Sequence, residues 1–206
     1  MIALFFEVTP KPGQQDRYLE IAASLRPELE TSGGVAFLDR FRSLSRPATL
    51  LSHQIWADEA SLTRWRANGC HYRAQVAGRQ VVFQDYRLRV AAVSAFRDAD
   101  ARVTELAIGR PYNDPTRQPE RWMLVVRSRG MPFAALARAE NWQSVYDTGS
   151  FAAVADVPGR AAGRDALAMA AKDACVSAAH LVLVSRDYGM FDRREAPQYF
   201  PSSAMV

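Results

Sequence analysis

The sequence predicts an α+β fold built from two ferredoxin-like βαββαβ modules in tandem. Three observations predict it. Residues 1–97 alternate between period-two and period-3.6 apolar patterns in the order strand, helix, strand, strand, helix, strand. Residues 120–206 run through a similar order after a connector at 98–119 that carries Pro111, Pro115 and Pro119. Several strands are apolar on both faces, so each sheet needs helices on one side and a second sheet on the other, and the other half of the chain supplies that sheet.

The elements follow in order. Ile2, Leu4, Phe6 and Val8 alternate against Ala3, Phe5, Glu7 and Thr9, and Pro10-Lys11-Pro12-Gly13 stops this strand. From Gln14 the period becomes helical, with Tyr18, Ile21, Ala22, Leu25 and Leu29 on one face, a kink expected at Pro27 and an end at Gly33-Gly34. Val35 to Leu44 and Thr49 to Trp56 read as strands around a Ser45-Arg46-Pro47 turn. Asp58 is placed to cap a helix carrying Leu62 and Trp65, Asn68-Gly69 interrupts it, and His71 to Arg79 resumes it. Val81 to Phe96 completes the first module. The connector holds at most one short element near Leu106. In the second half Arg121 to Ser128 is strand-like, Pro132 to Ala139 a short helix, Trp142 to Asp147 and Phe151 to Val157 a strand pair, Ala162 to Cys175 a helix and His180 to Tyr188 a last strand. This strand is placed to pair with either sheet.

Composition excludes several classes. With 206 residues, 49% of them hydrophobic, two small cores are affordable. Of 26 basic residues only Lys11 and Lys172 are lysine, and the net charge of +4 is spread without a basic block, so no nucleic-acid partner is expected. No run approaches membrane-spanning length, and the segment before Pro10 lacks a basic flank, so a soluble, cytoplasmic protein without a membrane partner is expected. Cys70 and Cys175 are too few for a disulfide framework, and His53, His71 and His180 stand singly, without metal-ligand spacing.

Glu7-Val8-Thr9-Pro10-Lys11-Pro12-Gly13, Leu25-Arg26-Pro27-Glu28-Leu29, Trp56-Ala57-Asp58-Glu59-Ala60 and Trp65-Arg66 with His71-Tyr72-Arg73 resemble the antibiotic biosynthesis monooxygenase family over about the first 95 residues. The resemblance implies modules that pack sheet on sheet into an α+β barrel, with a pocket between each sheet and its helices. Pairing here is expected within one chain, and further association into a homodimer stays open. Some members of that family oxygenate polyketide-like phenols or anthrones with O2 and no cofactor, and others degrade haem. The tail Arg186 to Arg193 with Glu195-Ala196-Pro197 resembles the ending of single-module relatives, as if the second module had been set ahead of it.

A cofactor-free oxygenase needs a base, an oxyanion partner and a dry aromatic pocket. His53 and His71 are the candidate bases. His53 shares a strand face with Leu51 and Ile55 and enters the pocket if that face meets the helices; otherwise it is a core histidine bonded to backbone. Trp65 and Phe6 are candidate walls for the substrate, with plain core as the alternative for Trp65. Arg73, Arg87 and Arg89 are candidate oxyanion partners, although in an arginine-rich chain such a residue is more often a solvated surface group. No Gly-rich dinucleotide fingerprint, metal cluster or nucleophile elbow is present, so no cofactor is expected. The expected function is a monooxygenase acting on a small aromatic or hydrophobic molecule. A non-catalytic module that binds such a molecule is the alternative. A haem-degrading relative is disfavoured, because the positions where such relatives carry the histidine ligand and a strand-one asparagine are Gln75 and Phe6 here.

Overall fold

The structure, a computed structural model, describes residues 1–108 and 119–196. Residues 109–118 of the connector, with Pro111 and Pro115, and the tail beyond Ala196 therefore lie outside the described residues. The elements are β1 (Ile2–Pro10), α1 (Gln15–Ser24), α2 (Arg26–Ser32), β2 (Val35–Ser43), β3 (Leu50–Trp56), α3 (Glu59–Ala67), α4 (Gly69–Ala77), a π-helical turn (Gly78–Val82), β4 (Phe83–Arg97), β5 (Val103–Glu105), β6 (Trp122–Arg129), β7 (Glu140–Ser144), β8 (Ser150–Val157), α5 (Arg160–Ala171) and β9 (Val176–Gly189).

One continuous antiparallel sheet replaces the two stacked sheets expected from the patterning. Its order is β1-β3-β2-β7-β8-β6-β9-β4-β5, and β1 also pairs with β4, which closes β1 to β4 and β6 to β9 into a barrel of eight strands. The halves join at β2 with β7, through Phe41 opposite Ser144, and at β4 with β9, from Arg87 opposite Gly189 to Phe96 opposite His180. Closure satisfies the double-cover requirement differently from stacking, because strands from both halves face a shared interior and no edge is left open among the eight. Ala3, Phe5, Phe41, Leu51 and Ile55 meet Met123, Val125, Trp142, Val182 and Val184 there. β9 does more than the sequence indicated: it pairs along one side with β4 and along the other with β6.

Glu7, on the inward face of β1, accepts hydrogen bonds from Arg89 and Arg46; Arg46 also binds Glu140, and Asp187 receives Arg87 and Arg121. Pairing matters because Arg89 is buried, and an uncompensated buried charge costs several kcal/mol by order of magnitude.

Outside the barrel the two halves are covered unequally. The expected first helix is two helices: Leu25 separates α1 from α2, and Pro27 occupies the first turn of α2, where its missing N–H is harmless. With α3, α4 and the π-helical turn they cover Leu4, Phe6, Val8, Leu50, Trp56, Tyr86 and Val90. The second half has α5 alone, on Leu124, Val126, Ala155 and Leu181. The helix expected at Pro132 to Ala139 is absent, because a turn runs between Gly130 (φ 79°) and Arg138 (φ 56°), two residues in left-handed backbone that a helix does not admit. Phe133 and Leu136 nevertheless bury against the sheet. The short element expected near Leu106 is β5, whose three residues pair with β4.

Candidate functional site

A cavity of about 380 Å³ lies between the outer face of the first-half strands and the helices α1 to α4. Strand alternation decides which residues reach it. Leu4 and Phe6 of β1, Leu38 and Arg40 of β2, Ser52 and Gln54 of β3, Tyr86, Leu88 and Val90 of β4, and Arg186 and Tyr188 of β9 point outward into it. Tyr18, Leu25 and Leu29 of the first helices, Leu62 and Trp65 of α3, and His71 and Gln75 of α4 complete the wall.

The break between α3 and α4 builds the chemistry of this wall. Asp58 caps α3 by accepting from the Ser61 N–H at 2.7 Å. At the other end Asn68 leaves helical geometry, and its side chain accepts from the backbone N–H groups of Cys70 (2.9 Å) and His71 (3.1 Å), which starts α4. The interruption leaves carbonyls at the end of α3 without their helical partners. His71 Nδ1 lies 2.9 Å from the Trp65 carbonyl oxygen and 3.1 Å from Gln75 Nε2; because the carbonyl can only accept, the shorter contact assigns the Nδ1 proton to it, and Gln75 Nε2 donates instead to the Arg66 carbonyl at 3.1 Å. The imidazole stacks on the Trp65 indole, centroids 4.4 Å apart and planes 14° from parallel. Burial disfavours the charged ring and lowers the His71 pKa to about 4. The ring is neutral at physiological pH, its Nδ1 proton is committed to Trp65, and its Nε2 makes no hydrogen bond among the described residues.

Aromatic groups line the opposite wall. Phe6 meets Phe83 and Tyr86 at centroid distances of 5.7 and 5.5 Å. Tyr86 Oη accepts from Arg79 and, at 2.8 Å, from Arg193. Tyr188 is buried, and desolvation raises its pKa despite nearby arginines. Arg186 pairs with Glu59.

The structure brings together three of the residues singled out from sequence, His71, Trp65 and Phe6, and leaves out the others. His53 faces the barrel interior, because its strand face, with Leu51 and Ile55, meets the second half of the chain and not the helices. It is fully buried, stacks on Phe5 at 4.8 Å, and its Nδ1 lies 3.2 Å from the Leu4 carbonyl oxygen, which is the core-histidine alternative. Desolvation first, then Arg127 and His180, push its pKa well below the ordinary value. Arg73 is exposed on α4 and donates to Cys70 Sγ at 3.2 Å. Arg87 and Arg89 belong to the inward face of β4; Arg89 pairs with Glu7, and Arg87 binds Asp187 through two hydrogen bonds of 2.9 and 2.7 Å. Arg40, Tyr18, Tyr86, Arg186 and Tyr188 are in the cavity and were not singled out as site residues. Arg40 alternates with Leu38, which was the available signal, but in an arginine-rich chain that signal does not stand out.

Among the described residues no group of three or more His, Cys, Asp or Glu side chains is arranged to hold a metal ion, and no helix is long and apolar enough to cross a membrane. A closed α+β barrel with a partly open, mainly apolar cavity under its helices is an architecture suited to a small molecule. Residues 1–77 match the family model described as antibiotic biosynthesis monooxygenase. A protein of Pyricularia oryzae named jasmonate monooxygenase ABM is 37% identical over 224 residues, covering 99% of this chain and 100% of that one. The chain belongs to the antibiotic biosynthesis monooxygenase family. Among solved structures, an anthrone oxidase-like protein aligns over 95% of this chain and 96% of its own, with 12% identity and a TM-score of 0.42. A Pseudomonas aeruginosa protein aligns over 43% of this chain and 89% of its own, with 16% identity and a TM-score of 0.39.

Proposed function

We propose that the cavity is the active site of a monooxygenase that works without a bound cofactor on a small aromatic or polyketide-like substrate, with His71 as the general base. The observation that carries this reading is the state of His71: a neutral ring fixed by the Trp65 carbonyl and indole, with Nε2 uncommitted, in the wall of an apolar cavity. Nε2 removes a proton from an activated CH2 or phenol, and the resulting anion is the electron donor that O2 requires. For a CH2 flanked by aromatic rings the chemistry balances without an external reductant. The carbon forms a bond to one oxygen atom and loses both hydrogens, the O–O bond breaks, and the products are the ketone and water. Trp65 and Phe6 supply flat walls for the rings, and exclusion of water favours the anion's reaction with O2 over reprotonation. The same reading takes the chain as two family modules in tandem, the first carrying the working pocket and the second completing the barrel; the order β1-α-β2-β3-α-β4 against β6-β7-β8-α5-β9 supports it.

Oxygen-electrode traces with a panel of anthrones and polycyclic phenols, with jasmonate added because the Pyricularia oryzae relative is named for it, test the reading. His71→Ala is expected to lower the rate by roughly 10²–10⁴-fold, as for loss of a general base, and His180→Ala to leave it nearly unchanged. If no compound drives uptake above the uncatalysed rate, the cavity is a binding site for a hydrophobic molecule and not an oxygenase centre; if His71→Ala keeps the full rate, His71 is not the base.

A further inference from the structure

Arg40 brings a guanidinium into the cavity without an ion pair among the described residues. Arg40 reaches it from β2, in a wall made mostly of Leu, Phe and Tyr side chains. Its Nη1 donates to Tyr146 Oη at 3.2 Å, and the Tyr18 hydroxyl is close enough to interact with it electrostatically. Its Nε is shut off from solvent and has no hydrogen-bond acceptor. Among the described residues no carboxylate lies within ion-pair distance of it. The carboxylate next in sequence, Asp39, is on the inward face of β2, where it accepts from the Arg40 backbone N–H at 2.7 Å and from Ser144 Oγ at 3.2 Å. Of the other cavity arginines, Arg26 pairs with Glu30 and Arg186 with Glu59, Arg79 and Arg193 donate to the Tyr86 hydroxyl, and Arg66 is likewise not free.

Tyr18 is fully enclosed and burial raises its pKa, so it meets Arg40 as a neutral phenol and leaves the positive charge uncompensated. A guanidinium kept in a largely apolar cavity costs free energy that its tyrosine contacts offset only in part. A ligand that brings an anion recovers that cost, and the planar fork of arginine matches the two oxygens of a carboxylate. We propose that Arg40, oriented by Tyr18 and Tyr146, is the anchor for the carboxylate of an amphipathic acid whose apolar body fills the cavity beside Trp65 and Phe6. This rests on the reading of the cavity as a substrate site. It adds a substrate class, small hydrophobic carboxylic acids, and a residue that fixes which end of the molecule lies away from the acid anchor.

Equilibrium binding without turnover separates the two ideas. Anthracene-9-carboxylate, naphthalene-1-acetate and decanoate are titrated anaerobically against the whole protein, each beside its methyl ester. For at least one pair the wild type is expected to prefer the acid by roughly ten- to a hundredfold, the range of a charge-assisted hydrogen bond in a partly enclosed site. Arg40→Gln is expected to abolish that preference while leaving ester affinity within about twofold, which also shows that the cavity is intact, and Arg40→Lys to retain part of it. Failure of every acid to bind saturably, equal affinity for acid and ester, or a preference that survives in Arg40→Gln overturns the assignment. An acid preference that depends on Arg40, with no oxygen uptake from any substrate, leaves the anchor standing and removes the oxygenase reading.

Discussion

Acidification from pH 7 to pH 5 is expected to destabilise the protein through histidines that have no room for a proton. His180, on β9, is buried beside Phe96, with desolvation first and Arg127 second lowering its pKa to about 3; His71 is lowered to about 4 by burial. In the unfolded chain both titrate near the ordinary 6.5. The folded state therefore binds fewer protons than the unfolded state once the pH falls below 6.5, and stability declines from there down to the folded-state values, below which the loss is complete. At pH 5 each histidine costs about 2 kcal/mol, at 1.36 kcal/mol per pH unit over about 1.5 units. Two such losses are a large share of the roughly 5–15 kcal/mol typical of a folded domain. His53, also lowered by burial, acts in the same direction, while Asp39, whose pKa burial raises, opposes it. Denaturant midpoints followed by tryptophan fluorescence at both pH values, for wild type and His180→Leu, isolate one group. The variant's loss between pH 7 and pH 5 should be smaller by about 2 kcal/mol, because leucine accepts no proton. Equal losses in the two proteins would refute the assignment of His180 as a buried neutral ring.

Three further outcomes follow from the site's construction. If His71 is the base, kcat/KM rises with pH through about 4 and is level across the ordinary histidine range; a pH profile with its acid limb near 6.5 would count against it. Asn68→Ala removes the acceptor for the Cys70 and His71 N–H groups and is expected to lower stability by about 1 kcal/mol in a thermal melt, with a fall in kcat as the backbone that carries the His71 ring loses its cap. Gly34→Ala places a methyl group 2.4 Å from Ser61 Cβ at a φ of +85°, so its melting temperature should fall well below that of Gly13→Ala, which meets nothing within 4 Å.

Local patterns were legible because each depends on a few neighbours. The strand from Ile2, the Asp58 cap and the Asn68 interruption are set by alternation and side-chain capping, and all appear as expected. What the patterns left open was which buried face meets which partner. Leu51, His53 and Ile55 were identified as one face of their strand, but that face packs into the barrel and the more polar Ser52 and Gln54 turn toward the cavity. A sheet covered on both sides carries no mark that distinguishes helix from opposing strand. Closure through β1 with β4 and through β9 with both halves rests on pairings between distant segments, which periodicity does not encode. Trp65 and His71 were each legible as cavity candidates, whereas their stacking on one another depended on the geometry of the helix break.

The path of β9 has a consequence for the order in which the protein is made. Arg186 and Tyr188, part of the wall of a cavity otherwise formed largely by residues 4–90, are joined to it through the C-terminal part of β9, where Arg87 to Val90 of β4 receive Arg186 to Gly189 and Arg186 pairs with Glu59. During synthesis the helices and the first four strands emerge long before that segment, with one side of β4 unpaired and the outward-facing Leu88 and Val90 lacking part of their cover. The cavity wall is therefore complete only once residues 186–188 have been made, and a nascent chain stalled before residue 186 lacks that part of it.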